Sequence, residues 1–326
     1  MQRATENKII LVIRRTRLDE LIARFSSRTQ AQFYVEHQGA DFAEYLEEHE
    51  RYQAAITATM THLSTLGRVQ KIDRSFLPNF IFAEQDTIVV LGQDGLVANT
   101  IKYLNGQPVI GVNPDPQRWE GVLLPFQVAD LKLIIPEVFA RRRPLMEVTM
   151  AKAVLNNGQQ LYGVNDLFIG TKSHISARYQ IKLGQQTEYH SSSGIIVSTG
   201  LGSTGWFKSL LTGALGITQA LFKGNLDSVS NAWNHDLNCL SYKCQNGIAW
   251  NVDFLHFIVR EPFPSMTSSA NLVYGQVTTQ QPLQLTSQMS ENGVIFSDGI
   301  ESDFLEFNSG TQAKITLAEK RGYLVV

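Results

Sequence analysis

Cysteine is scarce in this chain. Cys239 and Cys244 are the two present in 326 residues, too few for a disulfide framework. Their spacing is not a zinc pattern and no cluster of Cys and His accompanies them, so they read as free thiols of a cytosolic protein. Charge is scarce as well: 18% of residues are Asp, Glu, Lys or Arg, against about a quarter in an ordinary soluble protein. A formal net charge of −2 leaves no basic field for nucleic acid. No apolar run approaches the roughly 20 residues of a membrane helix. The first residues, Met1 to Lys8, lack the apolar core of a signal peptide. These absences predict a cytoplasmic protein with neither a nucleic-acid nor a membrane partner.

What is present is apolar. Hydrophobic residues make up 43% of the chain, and the length suggests two domains with cores of their own. One stretch organises the rest. Ile88-Val89-Val90-Leu91 is a continuous apolar run of the kind that forms a buried parallel strand. It ends in Gly92-Gln93-Asp94-Gly95, and helix-forming residues follow to Leu104. Strand, glycine turn and helix start together make a ligand-binding position at the carboxyl edge of an open α/β sheet. Glycines there let backbone N–H groups approach phosphate oxygens, and the helix start adds positive partial charge. An aspartate in such a turn repels anions, and it makes sense where a proton must be accepted or a hydroxyl bound. The plain alternative is a tight turn in which Asp94 is the helix N-cap.

Around that turn the first domain reads as βαβ. Ile9 to Ile13 is a buried strand. Residues 18–66 are helical in composition, with Gly39-Ala40-Asp41 as a break, Asp41 as a cap, and Glu47–Arg51 as a favourable pair on an exposed face. Val69 to Ile72 is a second strand. Gln107 to Asn113 is another, running into the stiff Pro114-Asp115-Pro116, and its carboxyl end should bring Asn113 and Asp115 near Asp94. This α/β domain with a parallel sheet is expected over residues 1–128. Residues 129–142 look helical and end in Arg141-Arg142-Arg143, which could meet phosphates or simply face water at a helix C-terminus.

Beyond Pro144 the pattern is β, and a sandwich is expected over residues 129–326, with the last residues free to return to the first domain. Asn156-Asn157-Gly158 marks a hairpin. Strands are expected at residues 176–183, 195–198, 248–252, 255–260 and 294–297, and Ser297-Asp298-Gly299 reads as a hairpin turn. Asn165-Asp166 interrupts a strand, as a bend or as a ligand contact. The strand Ile195 to Ser198 feeds Thr199-Gly200-Leu201-Gly202-Ser203-Thr204-Gly205-Trp206, and a helix follows to about Phe222. A loop of that kind offers backbone donors, hydroxyls and a helix start together. A flexible linker has similar composition, but here a strand enters and a helix leaves.

In this order, Gly92-Gln93-Asp94-Gly95, Gly111-Val112-Asn113, Asn165-Asp166 and Gly202-Ser203-Thr204-Gly205-Trp206 resemble the motifs of the NAD kinase family. Fainter echoes stand at Arg260-Glu261-Pro262 and Asp298-Gly299. The stretches Gly111 to Pro116 and Ser192-Ser193-Gly194 look closest to the mitochondrial-type branch and its bacterial relatives. The chain departs from the pattern at Gln93, where a second glycine is usual, at Leu96 for threonine, at Asp166 for glutamate, and at Trp206 for tyrosine. The helical residues 18–66 have no counterpart.

The resemblance implies an enzyme that moves the γ-phosphoryl of ATP, with Mg²⁺, to the 2′-hydroxyl of the adenosine ribose of NAD. Asp94 would orient or deprotonate the hydroxyl. Gly92, Gln93 and Gly95 would contact phosphates, with Asn113 at the same sheet edge. Asn165 and Asp166 would bind ribose hydroxyls, and Ser203, Thr204, Gly205, Trp206 and Ser209 would shape the base pockets. Mg²⁺ would be held through nucleotide phosphates with no protein ligand, in a site between the domains. A homodimer or homotetramer is expected on the same ground. The departures keep two alternatives open: a kinase of the same superfamily acting on a sugar, nucleoside or lipid, and a nucleotide-binding sensor without turnover.

Overall fold

A computed structural model describes residues 3–222 and 247–326; Cys239 and Cys244 lie outside the described residues. The chain forms two compact units. The first is 1–146 with 322–326, and the second is 147–321.

The first unit starts with β1 (Lys8–Ile13), followed by α1 (Arg17–Phe25), α2 (Arg28–His37) and α3 (Phe42–Leu66). Three caps make three helices of one helical composition: Thr16, Ser27 and Asp41 each accept a backbone N–H from the turn they start. Then come β2 (Arg68–Asp73), β3 (Thr87–Leu91), α4 (Asp94–Ile101), β4 (Pro108–Asn113), β5 (Phe126–Gln127) and α5 (Leu131–Phe139). The sheet is parallel, in the order β2-β1-β3-β4, with Tyr323 and Leu324 added alongside β4. All five residues of β3 are buried, as a strand covered on two faces must be. On one face α3 and α5 pack Tyr52, Ile56, Leu63, Leu131, Ile134 and Ile135 against Ile9, Leu11, Val89 and Ile110. That packing places α5 in the first unit, so the division falls after Met146 and not after residue 128. The helix expected over 129–142 is shorter, because a 3₁₀ turn, Val128–Asp130, precedes it and Arg141 takes a left-handed φ of 55° after it.

The second unit is a sandwich of two antiparallel sheets. Its strands are β6 (Leu145–Leu155), β7 (Gln160–Gly163), β8 (Asp166–Thr171), β9 (Ala177–Leu183), β10 (Gln186–Ser192) and β11 (Ile195–Ser198). After α6 (Trp206–Phe222) follow β12 (Leu255–Val259), β13 (Tyr274–Val277), β14 (Leu283–Ser287), β15 (Gly293–Ser297), β16 (Ile300–Glu306) and β17 (Gln312–Val325). One sheet runs β10-β9-β14-β17, extended from β17 by β6 and β7; the other runs β13-β12-β11-β8-β15-β16. Leu167, Ile169, Tyr179, Ile181, Ile195, Val197, Phe257, Leu283 and Ile315 fill the layer between them. Residues 248–252 are not a strand. They lie against the glycine loop, where Ile248 N donates to Ser203 Oγ at 2.8 Å. Within β17 the chain leaves the second unit at Arg321 and rejoins the first at Gly322.

Candidate active site

Parallel strands put their carboxyl ends on one edge, and the chain passes from one side of β1 to the other between β2 and β3. That switch point is where such sheets take ligands. The Gly92 turn stands at it. Asp94 is the first residue of α4, and the N-cap is Gln93, whose side chain makes no cap bond. Asp94 is therefore not the cap of its own helix. Its carboxylate reaches the loop after β4, accepting Val122 N at 3.1 Å and Leu123 N at 2.8 Å. Each oxygen keeps lone pairs for a further partner.

The same loop explains Gly111-Val112-Asn113. A Cβ at Gly111 would overlap the Leu123 carbonyl oxygen. The Asn113 amide donates to Trp119 O at 2.8 Å and accepts Asp115 N at 3.0 Å. The motif thus docks the loop that holds Asp94, and Asn113 is buried in that work. Asp115 does not reach Asp94 in these bonds; it pairs with Arg51 at 3.3 Å, and Arg51 also takes the expected Glu47 at 2.5 Å.

The helices of residues 18–66 contribute what sequence reasoning missed. The buried Tyr52 hydroxyl donates to Leu91 O at 2.7 Å and accepts Arg14 N at 3.1 Å, joining the ends of β3 and β1 across the switch point. Burial pushes its pKa up to about 12. One turn earlier, Glu48 accepts Arg14 at 3.0 Å and Arg17 at 2.6 Å. Burial alone would raise this carboxyl, but hydrogen bonds from Arg17 and Arg14 hold it below its usual range. The signal available was Arg14-Arg15-Thr16-Arg17 directly after a strand that ends at the ligand edge.

In the second unit Asn165-Asp166 is the place where the chain changes sheets, between β7 and β8. Two devices fix it. The Asp298 carboxylate, at the turn between β15 and β16, accepts the backbone N–H groups of Val164 (3.0 Å), Asn165 (2.6 Å) and Asp166 (3.3 Å). Thr199 Oγ1 donates to Val164 O at 2.6 Å and accepts Gly202 N at 3.1 Å, drawing the glycine loop onto the same turn. A Cβ at Gly202 would overlap the Asn165 carbonyl oxygen. The loop itself is wound into a 3₁₀ turn, Leu201–Thr204. Ser203 is buried, with its hydroxyl taken by Gly200 O and Ile248 N. Thr204, Gly205 and Ser209 face solvent, and Trp206 is half-buried, stacked on Phe168 at 5.7 Å.

Asp166 is buried, and its pKa is pushed up to about 7, by burial first and then by the negative charge of Asp298. An unfolded aspartate titrates near 4. Between those values the folded chain holds a proton that the unfolded chain has released. Stability is therefore greatest at the acid end of this window and falls as pH rises through 7. Asp166→Asn is expected to raise Tm by several degrees at pH 8 and to leave it near wild type at pH 4. An equal shift at both values would show that Asp166 does not titrate in this window.

No family model matches the chain, and no curated protein sequence matches it. Solved structures do. The NAD kinase from Archaeoglobus fulgidus in complex with ATP aligns with a TM-score of 0.54 over 98% of this chain and 93% of that one. Yeast NADH kinase complexed with NADH aligns with a TM-score of 0.56 over 99% of this chain and 84% of that one. Each is 12% identical. The chain has the two-domain fold of NAD kinases; at this identity the likeness is one of fold and singles out no branch of the family. Among the described residues no helix is long and apolar enough to cross a membrane.

Proposed function

We propose that the chain is a kinase that transfers the γ-phosphoryl group of ATP to the 2′-hydroxyl of the adenosine ribose of NAD, giving NADP. The observation that supports this most is the placement of Asp94: a half-buried carboxylate, fixed by two backbone N–H groups, at the start of α4 beside the switch point. Phosphoryl transfer is mostly positioning and charge stabilisation. The ribose oxygen attacks the γ-phosphorus, the bond to the β–γ bridging oxygen breaks, ADP leaves, and Asp94 takes the hydroxyl proton. Gly92, Gln93 and Gly95 lie against the phosphates, with Asn113 steadying the loop that holds Asp94. Asn165 and Asp166 hold ribose hydroxyls. Near neutral pH Asp166 is partly protonated, so it can donate as well as accept. Thr204, Gly205, Trp206 and Ser209 border the base, and Ser203 shapes their loop from beneath.

Magnesium would be carried on the nucleotide, since this ion is commonly bound through phosphates and water. A homodimer or homotetramer in the cytoplasm goes with the same function, and light scattering tests the assembly.

The deciding experiment is incubation of the purified chain with ATP, Mg²⁺ and NAD, read out by an NADP-specific dehydrogenase. NADP formation supports the proposal. NAD binding by calorimetry with no NADP would overturn it in favour of another acceptor or a sensor.

Gly95 gives a second check. It is exposed, helical, and a Cβ there would meet nothing within 4 Å. Gly95→Ala is expected to stabilise the fold by about 0.5–1 kcal/mol, the helix preference of alanine over glycine. If phosphates approach this backbone, the same methyl raises KM for the nucleotide. A more stable variant with unchanged KM would remove Gly95 from the site.

A further inference from the structure

The outer face of the second unit holds a cleft that shares only Trp206 with the residues proposed for the kinase reaction. It is a cavity of 370 Å³ bordered by Phe168, Phe296, Phe304, Trp206, Arg260 and Lys172, with no carboxylate on its walls among the described residues. Phe168 is its centre, stacked on Trp206 at 5.7 Å with planes 8° apart and on Phe296 at 4.7 Å. Arg260 lies over the Trp206 ring at 5.2 Å, and Lys172 Nζ lies 3.4 Å from the centre of the Phe304 ring.

The charges need explaining. Arg260 Nε is shut off from solvent and has no hydrogen-bond acceptor among the described residues. A buried donor left without an acceptor costs free energy that a bound anion would return. Four aromatic rings without such a charge would suit any apolar molecule; two cations on an aromatic cleft select one that is flat and negative. The volume is that of a small-molecule site, mostly apolar with a few placed polar groups.

We propose that this cleft binds a small molecule made of a planar aromatic ring bearing one anionic group. The ring lies against Phe168, Phe296 and Phe304, and the anion sits between Arg260 and Lys172. Trp206 is the one residue shared with the phosphoryl-transfer proposal, and the two charges that hold the anion, Arg260 and Lys172, belong to this cleft alone.

The probe is 2-naphthoate, titrated into the full chain by calorimetry at pH 7.5, with the neutral isostere 2-naphthamide beside it. Saturable one-to-one binding of the naphthoate is expected, with the amide about tenfold weaker because a charge-assisted bond is replaced by a neutral one. Arg260→Gln should weaken naphthoate about tenfold and leave naphthamide unchanged, and Asp94→Asn should leave both unchanged. Lys172 is exposed, so Lys172→Gln keeps the test open if the arginine variant fails to fold; it should weaken naphthoate several-fold. No saturable binding, equal affinity for the two probes, or unchanged naphthoate affinity in the charge variants would each overturn the proposal.

Discussion

Asp94→Asn is expected to lower kcat for NADP formation by about 10²–10⁴-fold, the usual worth of a positioned proton acceptor, while KM for ATP and NAD moves only a few-fold. The structure adds a second consequence. The carboxylate holds Val122 N and Leu123 N on separate oxygens, and an amide keeps one oxygen and turns a donor toward the other N–H. Because Val122 is exposed, water replaces much of what is lost, and the cost to stability is about 1 kcal/mol. Rate and stability thus separate the two jobs of this side chain. Stopped-flow turnover and thermal unfolding of the same preparation read both. A variant with lowered Tm and intact kcat would make Asp94 an anchor for the loop and nothing more.

Asp298→Ala should give the largest loss of stability, about 3–5 kcal/mol, because three backbone N–H groups at Val164, Asn165 and Asp166 lose their charged acceptor at once. Urea unfolding measures it as a drop in midpoint. Asp298→Asn keeps one oxygen and should fall between alanine and wild type. The removed charge also lowers the Asp166 pKa from about 7, so the fall in stability with rising pH narrows in each variant. A loss under about 1 kcal/mol in the alanine variant would mean that the turn is held by Thr199 and the strand pairing alone.

Contiguous features were legible in the sequence. β3, its glycine turn and α4 lie in one run of residues, and the period changes from a continuous apolar strand to a helix at Gly92. Asp41 was readable as a cap because capping is local. What joins distant segments was not legible. Asp298 is the hairpin turn its residues announce, with φ of 55° and Gly299 at 70°. Its grip on residues 164–166 follows only from the pairing of β15 with β8. Gly111 and Gly202 stand in the motifs that carry the resemblance, and each is a place where another backbone lies too close for a Cβ. The charges of α3 read as a solvated face, yet Glu48 is 7% and Tyr52 3% exposed, because the switch point needs partners for the end of β1. Residues 248–252 carry strand-like composition but lie against the glycine loop instead.

The first unit is discontinuous, and that has a bearing on synthesis. Its sheet takes Tyr323 and Leu324 alongside β4, while the second unit is the unbroken stretch 147–321. On a ribosome, domains close as their last residues emerge. The second unit can therefore close while the first still lacks the partner of Pro108 and Val109 at the start of β4, a stretch of sheet edge open to pairing with a neighbouring chain. The part of the molecule that begins first finishes last, and a chain cut short after Arg321 would carry a finished sandwich beside an adhesive sheet edge.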